Sequence, residues 1–256
     1  MPQLSRRKFL QLSSVAGITS MVGHTLSSGV AATHSYQAIA FDAFPIFDPR
    51  PIFKQVEQMF PQQANVFGQT WRSRIFEYTW LRTAAGQYVN FWQCINDGLI
   101  FTAKALNVNI TPQQHQQLAS QFFKLPLWPD ALHTLKILKS KNIKIAFLSN
   151  MTVEMLNSNI QFNQIGEFID HIISTDQAKT FKPDPRAYQL GVETLGYTKQ
   201  NILFTAFASW DAAGAKWFGY PTVWVNRFAA PIEELSVKPD ASAADLSVVE
   251  PLFKIT

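Results

Sequence analysis

Five apolar stretches of strand length, with helical patterns between them, constrain this chain more than any other feature. They run Tyr36–Phe41, Ile143–Leu148, His171–Ser174, Ile202–Thr205 and Thr222–Val225. Each is near-continuous in apolar and β-branched residues rather than alternating, the pattern of strands covered on both faces. The spacing between them predicts helices over Pro129–Ser140, Val153–Phe162, Arg186–Leu195 and Asp211–Phe218. A β-α-β-α order of this kind implies an α/β fold built on a doubly wound parallel sheet with right-handed crossovers. At 256 residues and 47% hydrophobic, the chain has ample apolar surface to close such a core.

One gap breaks the alternation. From about Pro49 to Leu127 no strand pattern occurs, and helical stretches fill the space: Trp71–Thr83, Phe91–Leu106 and Pro112–Phe123. A crossover of that length is too long for a loop and must be a helical subdomain of its own. The expected layout is a Rossmann-like core over residues 33–48 and 128–256 with a helical cap over 49–127. The cap is rich in aromatics, among them Trp71, Phe76, Tyr78, Trp80, Tyr88, Phe91 and Trp92. Helix-to-core packing explains most of them; excluding water from a small apolar substrate would use some of the same residues. The stretch after Val237, rich in Ala, Ser and Asp, reads as a loose tail.

Residues 1–32 read as a targeting segment. Ser5-Arg6-Arg7-Lys8-Phe9-Leu10 precedes a mildly apolar run from Leu12 to Val22, and Val30-Ala31-Ala32 supplies the small residues of a cleavage site. The run is too short and too polar to anchor in a bilayer. The expectation is a twin-arginine signal, recognised by the twin-arginine export machinery and cleaved near Ala32, which places the mature protein in the periplasm or beyond. Gln11 departs from the usual pattern, which favours lysine there. The segment holds Arg6, Arg7 and Lys8 and no acid, so the formal charge of +4 less those three leaves +1. The basic balance therefore belongs to the leader and gives no case for nucleic-acid binding. A single cysteine, Cys94, forms no internal disulfide and sits in a helical pattern as a buried structural thiol. His24, His34, His115, His133 and His171 show no ligand spacing, so no metal is expected.

Four polar stations follow the strand patterns. Asp42 ends the first, in YQAIAFDAFPIFDP; Ser149-Asn150 end the second, in IAFLSN; Lys182 follows the third, in TFKPDPRAY; Asp211 follows the fourth, in TAFASWDAAGAKWFGYPTVWVNR. In open parallel sheets such carboxyl ends converge on the ligand crevice. A desolvated carboxylate aimed at an electrophilic carbon is a nucleophile, although Asp42 alone would read equally as a turn or cap aspartate. Ser149 and the backbone N–H groups beside it suit a substrate carboxylate, or else a helix cap. A buried lysine would hold Asp42 ionised and attract an anion.

These motifs resemble the haloacid dehalogenase superfamily, and in particular its (S)-2-haloacid dehalogenases. The resemblance extends over nearly all the mature chain, including WRSRIFEYTWLR and Tyr88-Val-Asn-Phe91 in the cap. It implies Asp42 as nucleophile, Arg72 as halide acceptor, Lys182 as charge stabiliser and Asp211 as the group that positions Lys182 or the hydrolytic water. It also implies a carboxylate site at Ser149-Asn150 and a substrate pocket at Phe44, Phe76, Phe91, Trp210 and Tyr188, the tyrosine being the one that accompanies the lysine. Asp42 would displace halide from C2 with inversion, and water would cleave the resulting ester at the carboxylate carbon; no cofactor takes part. Phosphate-transferring relatives carry a second aspartate where this chain has Phe44, and an acidic pair near the fourth station where it has only Asp211, so a phosphatase reading is rejected. Members of the family often dimerise, which leaves a homodimer open, with the aromatic cap as its candidate face.

Two motifs depart from the family. Gly-Thr after the first-motif aromatic residue is replaced by Pro45-Ile46, and Ser-x-Asn before the fourth acid is replaced by Ala206 and Ala208. Removing a positioned donor of this type costs about 10²–10³ in rate. Thr205 and Ser209 are the nearby hydroxyls that would have to substitute. The expected activity is hydrolytic dehalogenation of small 2-halocarboxylates. The alternatives are an impaired member that binds a small carboxylate without turnover, and an α/β domain whose site has decayed.

Overall fold

The computed structural model describes residues 36–253; the segment expected to be a twin-arginine leader, with its expected cleavage site, lies outside the described residues. Six strands form one parallel sheet in the order β3-β2-β1-β4-β5-β6: β1 Ala38–Phe41, β2 Lys144–Ser149, β3 His171–Ser174, β4 Ile202–Ala206, β5 Thr222–Val225 and β6 Ala241–Ala243. The strand order reverses between β1 and β4, the switch point at which doubly wound sheets open their crevice.

Each strand sends alternate residues into two separate cores, which is why the apolar runs are continuous. Ile39 and Phe41, Ile145 and Phe147, and Val223 and Val225 enter one. Ala38 and Ala40, Ala146 and Leu148, and Ile202 and Phe204 enter the other. Helices cover both faces: α5 Ala131–Ser140, α6 Val153–Phe162, α7 Pro185–Leu195 and α8 Ser209–Phe218. Phe41 pairs with both Phe147 and Thr205, so the ends of the three central strands stand level and Asp42 emerges at the middle of the crevice.

The insertion consists of α1 Arg50–Met59, α2 Ala64–Ala85, α3 Phe91–Ala105 and α4 Pro112–Ser120, with a 3₁₀ turn continuing to Phe123. α2 starts seven residues before the pattern at Trp71, and α1 was not marked by the spacing at all. α2 closes on Gly86, whose φ of 64° is the left-handed form glycine adopts without a Cβ penalty. Asn90 and Thr111 cap α3 and α4 through their side chains, and the Thr111 N–H in turn donates to Gln114 Oε1. The chain leaves the sheet and returns to it at one place, where Phe47 bridges Leu127, Asp48 N donates to Pro126 O at 2.8 Å and Trp128 N to Ile46 O at 3.1 Å. All described residues fall in one compact unit.

The tail is not loose. Ala241–Ala243 adds β6 to the sheet edge beside β5, and Leu246, Val249 and Phe253 are buried beneath two 3₁₀ turns. Its three small strand residues carry no periodic signal, so pairing rather than propensity forms it.

Candidate active site

Three of the four stations meet in one buried network. Lys182, 1% exposed, donates from Nζ to Asp42 Oδ1 at 2.8 Å and to Asp211 Oδ2 at 2.6 Å. Tyr188 Oη donates to Asp211 Oδ1 at 2.7 Å, so both oxygens of that carboxylate are occupied. Burial by itself lowers the lysine's pKa, but Asp211 and Asp42 together more than offset it and hold that pKa above the ordinary value. Burial raises Asp211 to about 6, and the charge of Asp42 adds to the rise. Lys182 and the tyrosine hydroxyl oppose that shift without cancelling it. Tyr188, its own pKa raised by burial and by Asp211, stays protonated as a donor.

α8 brings Asp211 to the lysine because Gly214, one turn on, lets the chains touch. A Cβ there would stand 2.5 Å from Tyr188 Oη and 2.6 Å from Pro183 Cβ. Tyr188 therefore lies behind Asp211, wholly buried, and does not line the cavity as a substrate contact. That corrects its expected place in the substrate pocket: it supports the carboxylate from the core side.

Ser149 and Asn150 follow β2 as expected, but divide their work. The cap of α6 is Thr152, which accepts from Met155 N, so Ser149 is not needed there. Ser149 Oγ accepts from Met151 N at 3.2 Å and lines the cavity. Asn150 Oδ1 instead accepts from Lys182 N at 3.0 Å and from Thr175 Oγ1 at 3.2 Å, which spends its carbonyl on fixing the lysine's backbone.

These groups close one end of a cavity of about 1130 Å³ that also reaches Phe44, Arg72, Phe76, Phe91 and Trp210. Trp210 packs on Phe76 at 5.4 Å between ring centroids, and Phe76 on Phe91 at 6.2 Å, so core and insertion share an aromatic wall. Phe44 rests against Phe207 at 5.7 Å. Arg72 lies 6.0 Å from the Phe76 ring, still reached by solvent through the cavity. Desolvation by the surrounding protein lowers its pKa, outweighing the Glu233 carboxylate nearby. Cys94 is buried, its thiol pushed up to about 12 by desolvation, in keeping with a structural residue. Among the described residues no three His, Cys, Asp or Glu side chains gather where they could hold a metal ion.

The first-motif departure is braced by residues that the sequence did not mark. All three carbonyls of Phe44-Pro45-Ile46 are taken: Phe44 O by Trp128 Nε1 at 2.9 Å, Pro45 O by Arg227 Nη2 at 2.7 Å and Ile46 O by Trp128 N. Arg227 is held in turn by Asp130 at 2.8 Å and lies over the Trp128 ring at 4.6 Å. Arg227 ends the string WVNR, quoted above only as a motif match. The fourth-motif departure has no such repair. Ser209 Oγ meets Glu233 Oε1 at 3.1 Å, away from Asp42, and Thr205 Oγ1 is buried without a hydrogen-bond partner among the described residues.

A parallel sheet carrying a lysine bridged between two strand-end aspartates, beside an aromatic helical insertion, defines a buried, charged crevice of the kind α/β hydrolases build at their strand ends. The sequence model of the haloacid dehalogenase-like hydrolases matches residues 24–219, and the chain belongs to that family. It is 32% identical over 219 residues to an (S)-2-haloacid dehalogenase of Pseudomonas sp. (strain YL), covering 85% of this chain and 94% of that one. To haloacetate dehalogenase H-2 of Moraxella sp. (strain B) it is 30% identical, covering 86% and 98%. Among solved structures, the L-2-haloacid dehalogenase RSc1362 superposes with a TM-score of 0.83 at 30% identity, over 86% of this chain and 99% of that one. The L-2-haloacid dehalogenase of Xanthobacter autotrophicus with chloropropionic acid covalently bound gives 0.78 at 28% identity, over 85% and 98%.

Proposed function

We propose that the protein hydrolyses the carbon–halide bond of (S)-2-halocarboxylates through an ester on Asp42. The observation that carries this reading is the Lys182 ammonium shared by Asp42 and Asp211 at the closed end of an aromatic-walled cavity. Asp42 Oδ1 is fixed by the lysine, whereas Oδ2 has only a 3.3 Å contact from Phe44 N and is the oxygen free to attack. It forms a bond to C2 as the carbon–halogen pair of electrons leaves with the halide, which Arg72 receives. The helical insertion acts as the cap that keeps bulk water from the displaced carbon. Water then adds to the ester carbonyl carbon of Asp42 and its proton passes toward Asp211; the acyl C–O bond breaks, the departing alkoxide takes that proton, and the 2-hydroxy acid leaves Asp42 a carboxylate again. The covalent chloropropionic acid adduct of the Xanthobacter relative supports the first half.

A second reading is favoured by Ala206 and Ala208, which leave the second half without the polar side chains that would orient water: the ester forms and persists. Halide release from (S)-2-chloropropionate, measured beside Asp42→Ala, decides. Removing the nucleophile should abolish release by at least about 10⁴-fold. Sustained release lost in the variant supports the hydrolase. One equivalent of halide with an added mass on Asp42 supports the stalled ester. Release from neither protein, with no added mass, overturns both.

A further inference from the structure

We propose that Tyr88 is a positioning residue for Lys182: its hydroxyl pins the helical insertion to the segment that carries the lysine, so that seating the insertion and placing the ammonium at Asp42 are one event. The proposal rests on the dehalogenase reading and adds a residue to it. Tyr88 stands in the link between α2 and α3, just before Phe91 of the cavity wall. Its Oη donates to Asp176 Oδ1 at 2.8 Å, across 88 residues of sequence. Asp176 lies in the 3₁₀ turn Thr175–Ala178 after β3, at the start of the stretch that leads to Lys182.

That stretch is fixed from both sides. On the core side, Ser174 Oγ donates to Met151 O at 2.6 Å, and Asn150 Oδ1 accepts from Thr175 Oγ1 and from Lys182 N. On the insertion side stand two rings. Phe181, wholly buried and next to the lysine, has Tyr88 at 5.0 Å and Phe91 at 6.4 Å between ring centroids. Lys179 brings its Nζ to the same Asp176 oxygen at 2.9 Å and stands 5.5 Å from the Tyr88 ring. Its backbone is left-handed at φ 48°, a form lysine seldom takes, so contacts rather than preference hold the turn. Ring contact has little directionality, whereas a hydrogen bond to a carboxylate fixes both distance and angle. Tyr88 thus sets where Phe181, and with it the backbone of Lys182, comes to rest.

The test is the single-turnover rate of halide release from (S)-2-chloropropionate, with protein in excess, for Tyr88→Phe, Asp176→Ala and the double variant. Tyr88→Phe keeps the ring and its packing on Phe181. Each single change should lower the saturated rate about tenfold, the value of one hydrogen bond to a charged group. The half-saturating concentration should move less than about twofold, because Arg72 and Ser149 are untouched. The double variant should lose no more than either single one, since both break the same bond. Effects that multiply to about a hundredfold overturn the proposal. So does a change confined to half-saturation, or a lower melting temperature at an unchanged rate. If the parent protein releases no halide, the dehalogenase reading fails on its own account, and hydrogen exchange over residues 174–182 tests the grip without activity. Faster exchange in Tyr88→Phe upholds it, and equal exchange overturns it.

Discussion

The two departures from the family pattern lie on opposite sides of Asp42 and have met different fates. On the β1 side, Pro45-Ile46 has no hydroxyl to offer, yet the loop is gripped through its carbonyls by Trp128 and Arg227. On the β4 side, Ala206 and Ala208 are simply smaller, Ser209 is engaged with Glu233 and Thr205 Oγ1 is idle. A loop can be held still by donors from distant parts of the chain that grip its carbonyls. Orienting a water molecule requires a polar atom at the right point in space, and the side chains of Ala206 and Ala208 offer none. The loop that carries Asp42 is therefore better supported than the β4 side of the site.

The largest effect should come from restoring what the β4 side lacks. Ala206→Ser with Ala208→Asn should speed ester hydrolysis about 10²-fold. On the stalled-ester reading, intact-mass analysis during turnover reads it as loss of the Asp42 adduct, and an unchanged adduct level would break the contrast between the two sides.

A smaller effect tests the braced side. Trp128→Phe keeps the ring but leaves Phe44 O without its donor, a loss worth about 1–3 kcal/mol. The single-turnover rate of halide release should drop about tenfold, with KM unchanged. A lower melting temperature with no change in that rate would reduce Trp128 to a structural residue.

The smallest effect sharpens the account of Asp211. Its pKa is raised to about 6, chiefly by burial. Between the ordinary carboxylate range and that value, the folded protein holds a proton that the unfolded chain has released. Its contribution to stability is thus full at low pH and declines as pH rises through about 6. On the proposed mechanism activity runs the other way, since the ionised carboxylate would be the form that takes water's proton. kcat should fall severalfold below pH 6, and Asp211→Asn should show lower activity without that limb. A parent profile flat from pH 5 to 7 would remove Asp211 from the hydrolytic step.

The sheet was legible because both its faces are covered, which writes each strand as an apolar run; β6, a three-residue edge strand of small side chains, writes nothing. The stations were legible because each ends a strand. Side-chain direction was not: Tyr188, expected at the substrate, serves Asp211 from the core side, and Asn150, which does line the cavity, also fixes the backbone of Lys182. Trp128 and Arg227 reach the loop across 84 and 182 residues of sequence, a separation at which no local pattern operates.

The lysine shared by two aspartates sets one positive charge against two negative ones, and Arg72 at the cavity is the second cation. If Asp42 becomes an ester its charge is lost, but the carboxylate of the substrate takes its place in the count. The balance of charge would thus be the same before and after the bond forms, with Lys182 keeping Asp211 as its partner throughout. A site arranged in this way need not rearrange its ions between one step and the next.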